Sequence, residues 1–165
     1  HKRVELGYDG DDRNRAVELM KGLKPAELQA DIRSSVAALR GRPETAGRKA
    51  GALGYCLGGR LAYTAAAITD VDAAVAYYGG GIHDQLALAP SLQCPIQFHY
   101  AEKDGSIPAA AVENVRAAVA GKNAEVFVYL GADHGFNCWD RASYHPASAA
   151  LAHGRALTFL ADKLF

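Results

Sequence analysis

The segment Gly54-Tyr55-Cys56-Leu57-Gly58-Gly59 constrains the fold of this chain more than any other. An apolar, strand-like run, Ala50–Tyr55, enters it, and an Ala-rich, helix-like run, Leu61–Ile68, leaves it. A Gly-x-Cys-x-Gly pattern in that context predicts a sharp strand-to-helix turn with the thiol thrust out at its apex. The flanking glycines answer two needs, unusual backbone angles and a close approach of strand and helix that a Cβ would block. Cys56 is therefore the candidate nucleophile, at a place where hydrolases more often carry serine. Outside such a turn, a lone cysteine would read as a small buried residue.

The rest of the chain repeats the strand-then-helix alternation. Further apolar runs occur at Ala73–Tyr78, Ile96–Tyr100 and Val126–Leu130, after the first at Ala50–Tyr55. Helical patterns lie between or around them, from about Arg13 to Leu23 behind a capping Asp9-Gly-Asp-Asp12, and from Pro25 with Leu28, Ile32, Val36 and Leu39 at helical spacing. Others run from about Pro108 to Ala120 and from Ala147 to Leu164, with a less regular stretch around His83–Leu88. This alternation predicts an α/β fold, a mostly parallel sheet with helices on both faces. At 165 residues with no repeat or low-complexity linker, residues 1–165 are expected to form a single domain.

Composition narrows the partners. The 18 basic and 18 acidic residues cancel, and the densest basic group, Arg40 to Lys49, is broken by Pro43 and Gly47. Nothing pulls the chain toward nucleic acid or an anionic membrane, and no apolar run reaches the length of a membrane span. Cys56, Cys94 and Cys138 are odd in number and lack metal-ligand spacing, so a reducing, cytoplasmic setting and no metal are expected. The start, His1-Lys2-Arg3, is neither a signal peptide nor a usual initiation, and reads as the middle of something longer.

In an open parallel sheet, functional groups gather at the carboxyl ends of the strands. Cys56 ends the first strand, Asp104 follows the third 48 residues later, and His134 follows the fourth after a further 30. Nucleophile, acid, histidine is the chain order of the α/β-hydrolase triad. In those roles Cys56 attacks as thiolate, His134 accepts and returns the proton, and Asp104 sets the imidazole's tautomer. The backbone N–H of Leu57 is the expected oxyanion donor. Glu102 and Asp133 are rivals to Asp104, but one sits too near its strand and the other adjoins His134 in sequence. His99, inside a strand, reads as a core histidine, Cys94 as structural, and Tyr77 and Tyr78 as packing at the sheet end.

The motifs Gly-Tyr-Cys56-Leu-Gly-Gly, Ala-Val-Ala-Tyr-Tyr-Gly79, Lys-Asp104-Gly-Ser-Ile-Pro108 and Gly-Ala-Asp-His134-Gly-Phe136, with the terminal Ala150–Leu160 helix, resemble the dienelactone hydrolase (carboxymethylenebutenolidase) family of α/β-hydrolases. The resemblance runs over essentially the whole chain. It implies a Cys56–Asp104–His134 triad opening a lactone, or a related ester, through an acyl-thioester, with no metal or organic cofactor. Ring opening would give a dicarboxylate-type product in the breakdown of aromatic compounds.

The family pattern is also departed from. It includes an N-terminal segment of several strands and a helix that supplies the second oxyanion N–H and a glutamate holding the resting cysteine, and this chain corresponds to the C-terminal part of the fold. A strand edge beside Ala50–Tyr55 is then expected to be covered by that segment or by a second copy. Family members that take carboxylated lactones grip the carboxylate with arginines. Arg13 or Arg15 could correspond to one; the other position holds Cys138, and nearby Arg141 is a substitute. Two alternatives stay open, a non-catalytic piece of the fold acting in binding or structure, and a thioesterase- or peptidase-like hydrolase.

Overall fold

Four parallel strands, β1 (Gly51–Tyr55), β2 (Ala73–Tyr77), β3 (Ile96–Ala101) and β4 (Ala124–Tyr129), lie side by side in chain order. Gly51 pairs with Ala73, Ala74 with Ile96, and Ile96 with Ala124. The computed structural model describes residues 4–165, so the reading of His1–Arg3 lies outside the described residues. Parallel neighbours require crossovers. Here these are α3 (Leu57–Ile68), two short 3-10 turns at residues 82–84 and 86–91, and α4 (Ala109–Ala118). Two helices, α1 (Gly10–Lys21) and α2 (Pro25–Arg40), precede the sheet and α5 (Pro146–Leu164) follows it. The α/β class expected from the alternation is the class observed.

Every residue of β2 and β3 is buried, so both faces of the central sheet are covered. The alanines of β2 leave room for α3, whose Tyr63 reaches Phe98 of β3 with ring centroids 6.0 Å apart. Gly51 lies under Leu160 and Leu164 of α5. Arg40, the last residue of α2, donates to the Asp72 carboxylate at 2.8 Å, and the same oxygen accepts the Ala50 N–H at 2.8 Å. That clamp ties the end of α2 to the entrance of β1, the strand that carries the cysteine turn.

β1 is an edge strand. It pairs with β2 alone among the described residues, and Leu53 and Tyr55 on it are 45% and 40% exposed. Among the described residues no strand pairs with the other edge of β1.

Two elements depart from the sequence reading. The first helix begins at Gly10, and its N-cap Asp9 makes no side-chain capping bond. The acidic cluster works instead through Asp12, whose carboxylate accepts the Gly7 N–H at 2.8 Å and ties down the segment before the helix. No residue of α1 is fully buried, and its Leu19 and Met20 stay 45% and 43% exposed. The fourth strand starts two residues early, at Ala124, because the ladder is already running there: Ile96 donates to the Asn123 carbonyl at 3.0 Å. No helix among the described residues is long and apolar enough to cross a membrane. All three cysteines are free thiols.

Candidate active site

Cys56 sits between β1 and α3 with φ 54° and ψ −117°, a conformation that non-glycine residues rarely adopt. Its N–H still bonds the Tyr77 carbonyl at 3.0 Å, so the strand ladder holds one side of the strained residue while the helix begins on the other. Two of the glycines are sterically required. A Cβ on Gly54 would overlap the Gly58 carbonyl, and one on Gly59 would come within 2.5 Å of the Tyr77 carbonyl oxygen. Gly58 itself faces open space, so close approach, expected of all the flanking glycines, is the duty of the other two.

Asp104 lies in the turn after β3 and His134 in the turn after β4. Because these strands are parallel neighbours, both turns emerge at one end of the sheet. Asp104 Oδ2 is 2.7 Å from His134 Nδ1. The Nδ1 proton then points at the carboxylate, which leaves Nε2 for the thiol side. The other oxygen, Oδ1, accepts the Ser106 N–H at 2.9 Å and the Ser106 hydroxyl at 2.6 Å.

The rival acids are engaged elsewhere. Glu102 accepts the Gly131 N–H at 2.8 Å, and Asp133 accepts the His134 backbone N–H at 2.6 Å. Both shape the loop that presents the imidazole without touching its ring nitrogens. His99 is fully buried, bonds Tyr129 at 2.8 Å and stacks on Tyr77; burial holds its pKa down at about 3. Cys94 is buried, and burial raises its thiol pKa.

The electrostatics favour charge separation between thiol and imidazole. For Cys56, interaction with the His134 imidazole is the largest influence and lowers its pKa against the cost of burial; the Leu57 amide and Arg141 act in the same direction. For His134, burial opposes the charge, but Asp104 and Cys56 outweigh it and raise the pKa to about 9. For Asp104, burial pushes the carboxyl up, and the bonds from His134 and Ser106 bring it below its ordinary value. The firm hydrogen bond of the imidazole is to Asp104.

The thiol opens into a cavity of about 380 Å³ lined in part by Tyr8, Tyr55, Tyr78, Cys138 and Arg141. Tyr78, read from the sequence as packing, is buried yet lines this cavity. Its φ is 34°, and its ring lies 5.1 Å from that of His134. Cys138 reaches the Tyr8 hydroxyl at 3.5 Å, and the Arg141 guanidinium lies 5.2 Å from the Tyr8 ring centre. Arg13 and Arg15 are exposed on α1 and do not line the cavity. The structure thus brings together Cys56, Leu57, Asp104, His134, Cys138 and Arg141, and leaves the two helix-borne arginines outside.

The sequence pattern of the dienelactone hydrolase family matches residues 3–164. The chain belongs to the dienelactone hydrolase family. Among dienelactone hydrolase relatives, a carboxymethylenebutenolidase of Pseudomonas putida is 34% identical over 154 residues, covering 93% of this chain and 65% of that protein. A carboxymethylenebutenolidase of Pseudomonas sp. (strain P51) is 31% identical over 158 residues, covering 94% of this chain and 66% of that protein. A solved dienelactone hydrolase-like promiscuous phosphotriesterase from metagenomic libraries superposes with a TM-score of 0.79 at 17% identity, over 95% of this chain and 70% of that one, which shows the shared fold. The chain spans about half to two thirds of the length of the curated relatives it matches.

Two residues around this candidate site carried little or no signal in the sequence. Tyr78 reads from the sequence as packing, although the three glycines that follow it, Gly79 to Gly81, free the backbone to turn there. Tyr8, far upstream of every motif, carried none.

Proposed function

We propose that this chain carries the catalytic centre of a carboxylic-ester hydrolase acting on a lactone or related ester, with Cys56, His134 and Asp104 as the triad. The observation that carries the reading is the 2.7 Å Asp104–His134 bond beside a cysteine held at positive φ on a strand-to-helix turn. Membership of a family whose curated relatives include carboxymethylenebutenolidases supports the lactone as substrate class.

The Cys56 thiolate attacks the ester carbonyl carbon, and the carbonyl π electrons move onto oxygen. The Leu57 N–H faces that oxygen; one such donor is worth about 2.7–4 kcal/mol in comparable sites. As the tetrahedral species collapses, the bond to the leaving oxygen breaks. The His134 imidazolium gives that oxygen its proton, opening the ring in a lactone and leaving an acyl-thioester on Cys56. Neutral His134 then takes a proton from water, whose oxygen attacks the thioester carbonyl. Collapse releases the carboxylic acid and returns the thiolate–imidazolium pair. Asp104 keeps the imidazole in one tautomer throughout and stabilises its charged form.

Arg141 lines the same cavity, and no carboxylate is paired with it among the described residues. It is the cation available to a substrate carboxylate on this side, with Cys138 next to it on the wall.

The test is a lactone and p-nitrophenyl-ester assay on Cys56→Ala, together with iodoacetamide labelling of the unmutated protein. Turnover is expected to fall by roughly 10³-fold or more in the variant, and stoichiometric alkylation of Cys56 is expected to abolish it. Unchanged hydrolysis in Cys56→Ala would overturn the reading.

A further inference from the structure

The carboxylate that orients the imidazole is itself held by a third residue. Ser106 lies two positions after Asp104 in the same turn. Its backbone N–H and its hydroxyl both donate to Asp104 Oδ1, at 2.9 and 2.6 Å. The hydroxyl oxygen is also 3.3 Å from His134 Nδ1. A serine hydroxyl has one proton and two lone pairs. With Nδ1 carrying a proton toward Asp104, the serine proton has one acceptor, Oδ1, and a serine lone pair is left facing the Nδ1–H.

We propose that Ser106 is a positioning residue of this site, one that locks the Asp104 carboxylate so that Oδ2 stays on His134 and that shares the Nδ1 proton as a second, weaker acceptor. The proposal rests on the triad reading above. The Asp104 side chain is 1% exposed, so in the folded protein its oxygens are held by protein donors. Without the hydroxyl, Oδ1 keeps a single amide bond, and rotation of the carboxylate about its Cβ–Cγ bond is less opposed. A merely structural serine would affect folding alone. A positioning serine changes how readily His134 holds its proton, and through His134 how readily Cys56 gives one up.

The turn is exposed at Ser106, so replacing its side chain removes no core packing. Ser106→Ala keeps the backbone donor and deletes only the hydroxyl, and Ser106→Thr restores a hydroxyl. In the intact protein, alkylation of Cys56 by iodoacetamide is followed across pH by peptide mass spectrometry, with Cys94 and Cys138 resolved separately. The alkylation midpoint of Ser106→Ala is expected to rise by about one pH unit, the scale of one hydrogen bond to a charged group. Its kcat should fall with KM little changed, and Ser106→Thr should bring both back toward the unmutated protein.

A Ser106→Ala profile that superimposes on the unmutated one overturns the proposal, as does an equal shift in the alanine and threonine variants. His134→Asn separates this failure from that of the triad. If His134→Asn shifts the midpoint and Ser106→Ala does not, Ser106 alone is rejected. If neither shifts it, the coupling of thiol to imidazole is rejected, and the proposal for Ser106 falls with it.

Discussion

Asp104 Oδ2 and His134 Nδ1 lie 2.7 Å apart, although 30 residues separate them in the chain and each sits in a turn after a different strand. The carboxylate is almost fully enclosed and the imidazole is 18% exposed, so the charged partner is sheltered while the histidine remains accessible. An ion pair of this kind is strong because its surroundings supply little competing water. Asp104→Asn keeps the shape and removes the charge. It is expected to lower kcat by about 10³–10⁴-fold, as loss of an orienting carboxylate does in related triads, and steady-state lactone or ester kinetics check this.

The pH dependence follows from the directions of the two shifts. Cys56 is lowered from its ordinary thiol value and His134 is raised to about 9. Acylation in the proposed mechanism needs thiolate and imidazolium together. Acylation, read as kcat/KM, should therefore rise as pH climbs through the lowered thiol value and fall as pH passes about 9, where His134 loses its proton. Alkylation needs only the thiolate, so it should rise on the acid side and show no alkaline fall. An alkylation midpoint at or above that of a free thiol, about 8.5, would contradict the shift.

Arg141 and the cavity wall make a prediction about substrate charge. Arg141→Met is expected to raise KM for a carboxylate-bearing lactone by roughly tenfold or more, the scale of one lost charge-assisted hydrogen bond. KM for a neutral p-nitrophenyl ester should hardly move. Equal effects on both substrates would remove Arg141 from substrate recognition.

The Arg40–Asp72–Ala50 clamp predicts an effect on stability instead. Burial opposes the Asp72 charge, but the Ala50 amide and Arg40 outweigh it and lower the pKa. Asp72→Ala should cost about 1 kcal/mol, a modest figure because the Asp72 side chain is 33% exposed and its ion pair is partly screened. A carboxyl with a lowered folded-state pKa stabilises above its unfolded value and loses that contribution as pH falls through the folded value. The difference in urea midpoint between Asp72→Ala and the unmutated protein should therefore be full near neutrality and shrink in acid below the ordinary carboxylate range.

Gly54 predicts the cost of filling the turn. Gly54→Ala places a methyl group on the Gly58 carbonyl, where no side-chain rotation can relieve the overlap. Destabilisation of about 1–3 kcal/mol or more is expected, with loss of the fast-labelling thiol. Denaturant melts and iodoacetamide labelling test the two parts.

Much of the fold was legible in the sequence because its signals are local. Strand runs, helical spacing and the Gly54–Gly59 turn each depend on residues a few positions apart, and the four strands and five α-helices of the described residues occur where those patterns lie. Legibility was weakest where packing or longer reach decides. The acidic run Asp9 to Asp12 reads as a cap for the first helix, yet Asp12 lies within α1 and bonds back to Gly7, and no residue of α1 is fully buried. Arg13 and Arg15 could be placed on a helix from sequence, but not on the side away from the cavity.

The sequence by itself determined the order of elements, the strained cysteine turn and the three strand-end residues, since these depend on backbone preferences and hydrophobic period. Only the tertiary structure decided which groups meet. Parallel pairing of β3 with β4 sets the turns carrying Asp104 and His134 side by side, and the register of that pair brings the carboxylate within 2.7 Å of the ring. The same packing brings Tyr8, Tyr78 and Arg141 around Cys56 and directs the Ser106 hydroxyl at Asp104. Such contacts depend on distances across the sheet and between loops, which no local pattern encodes.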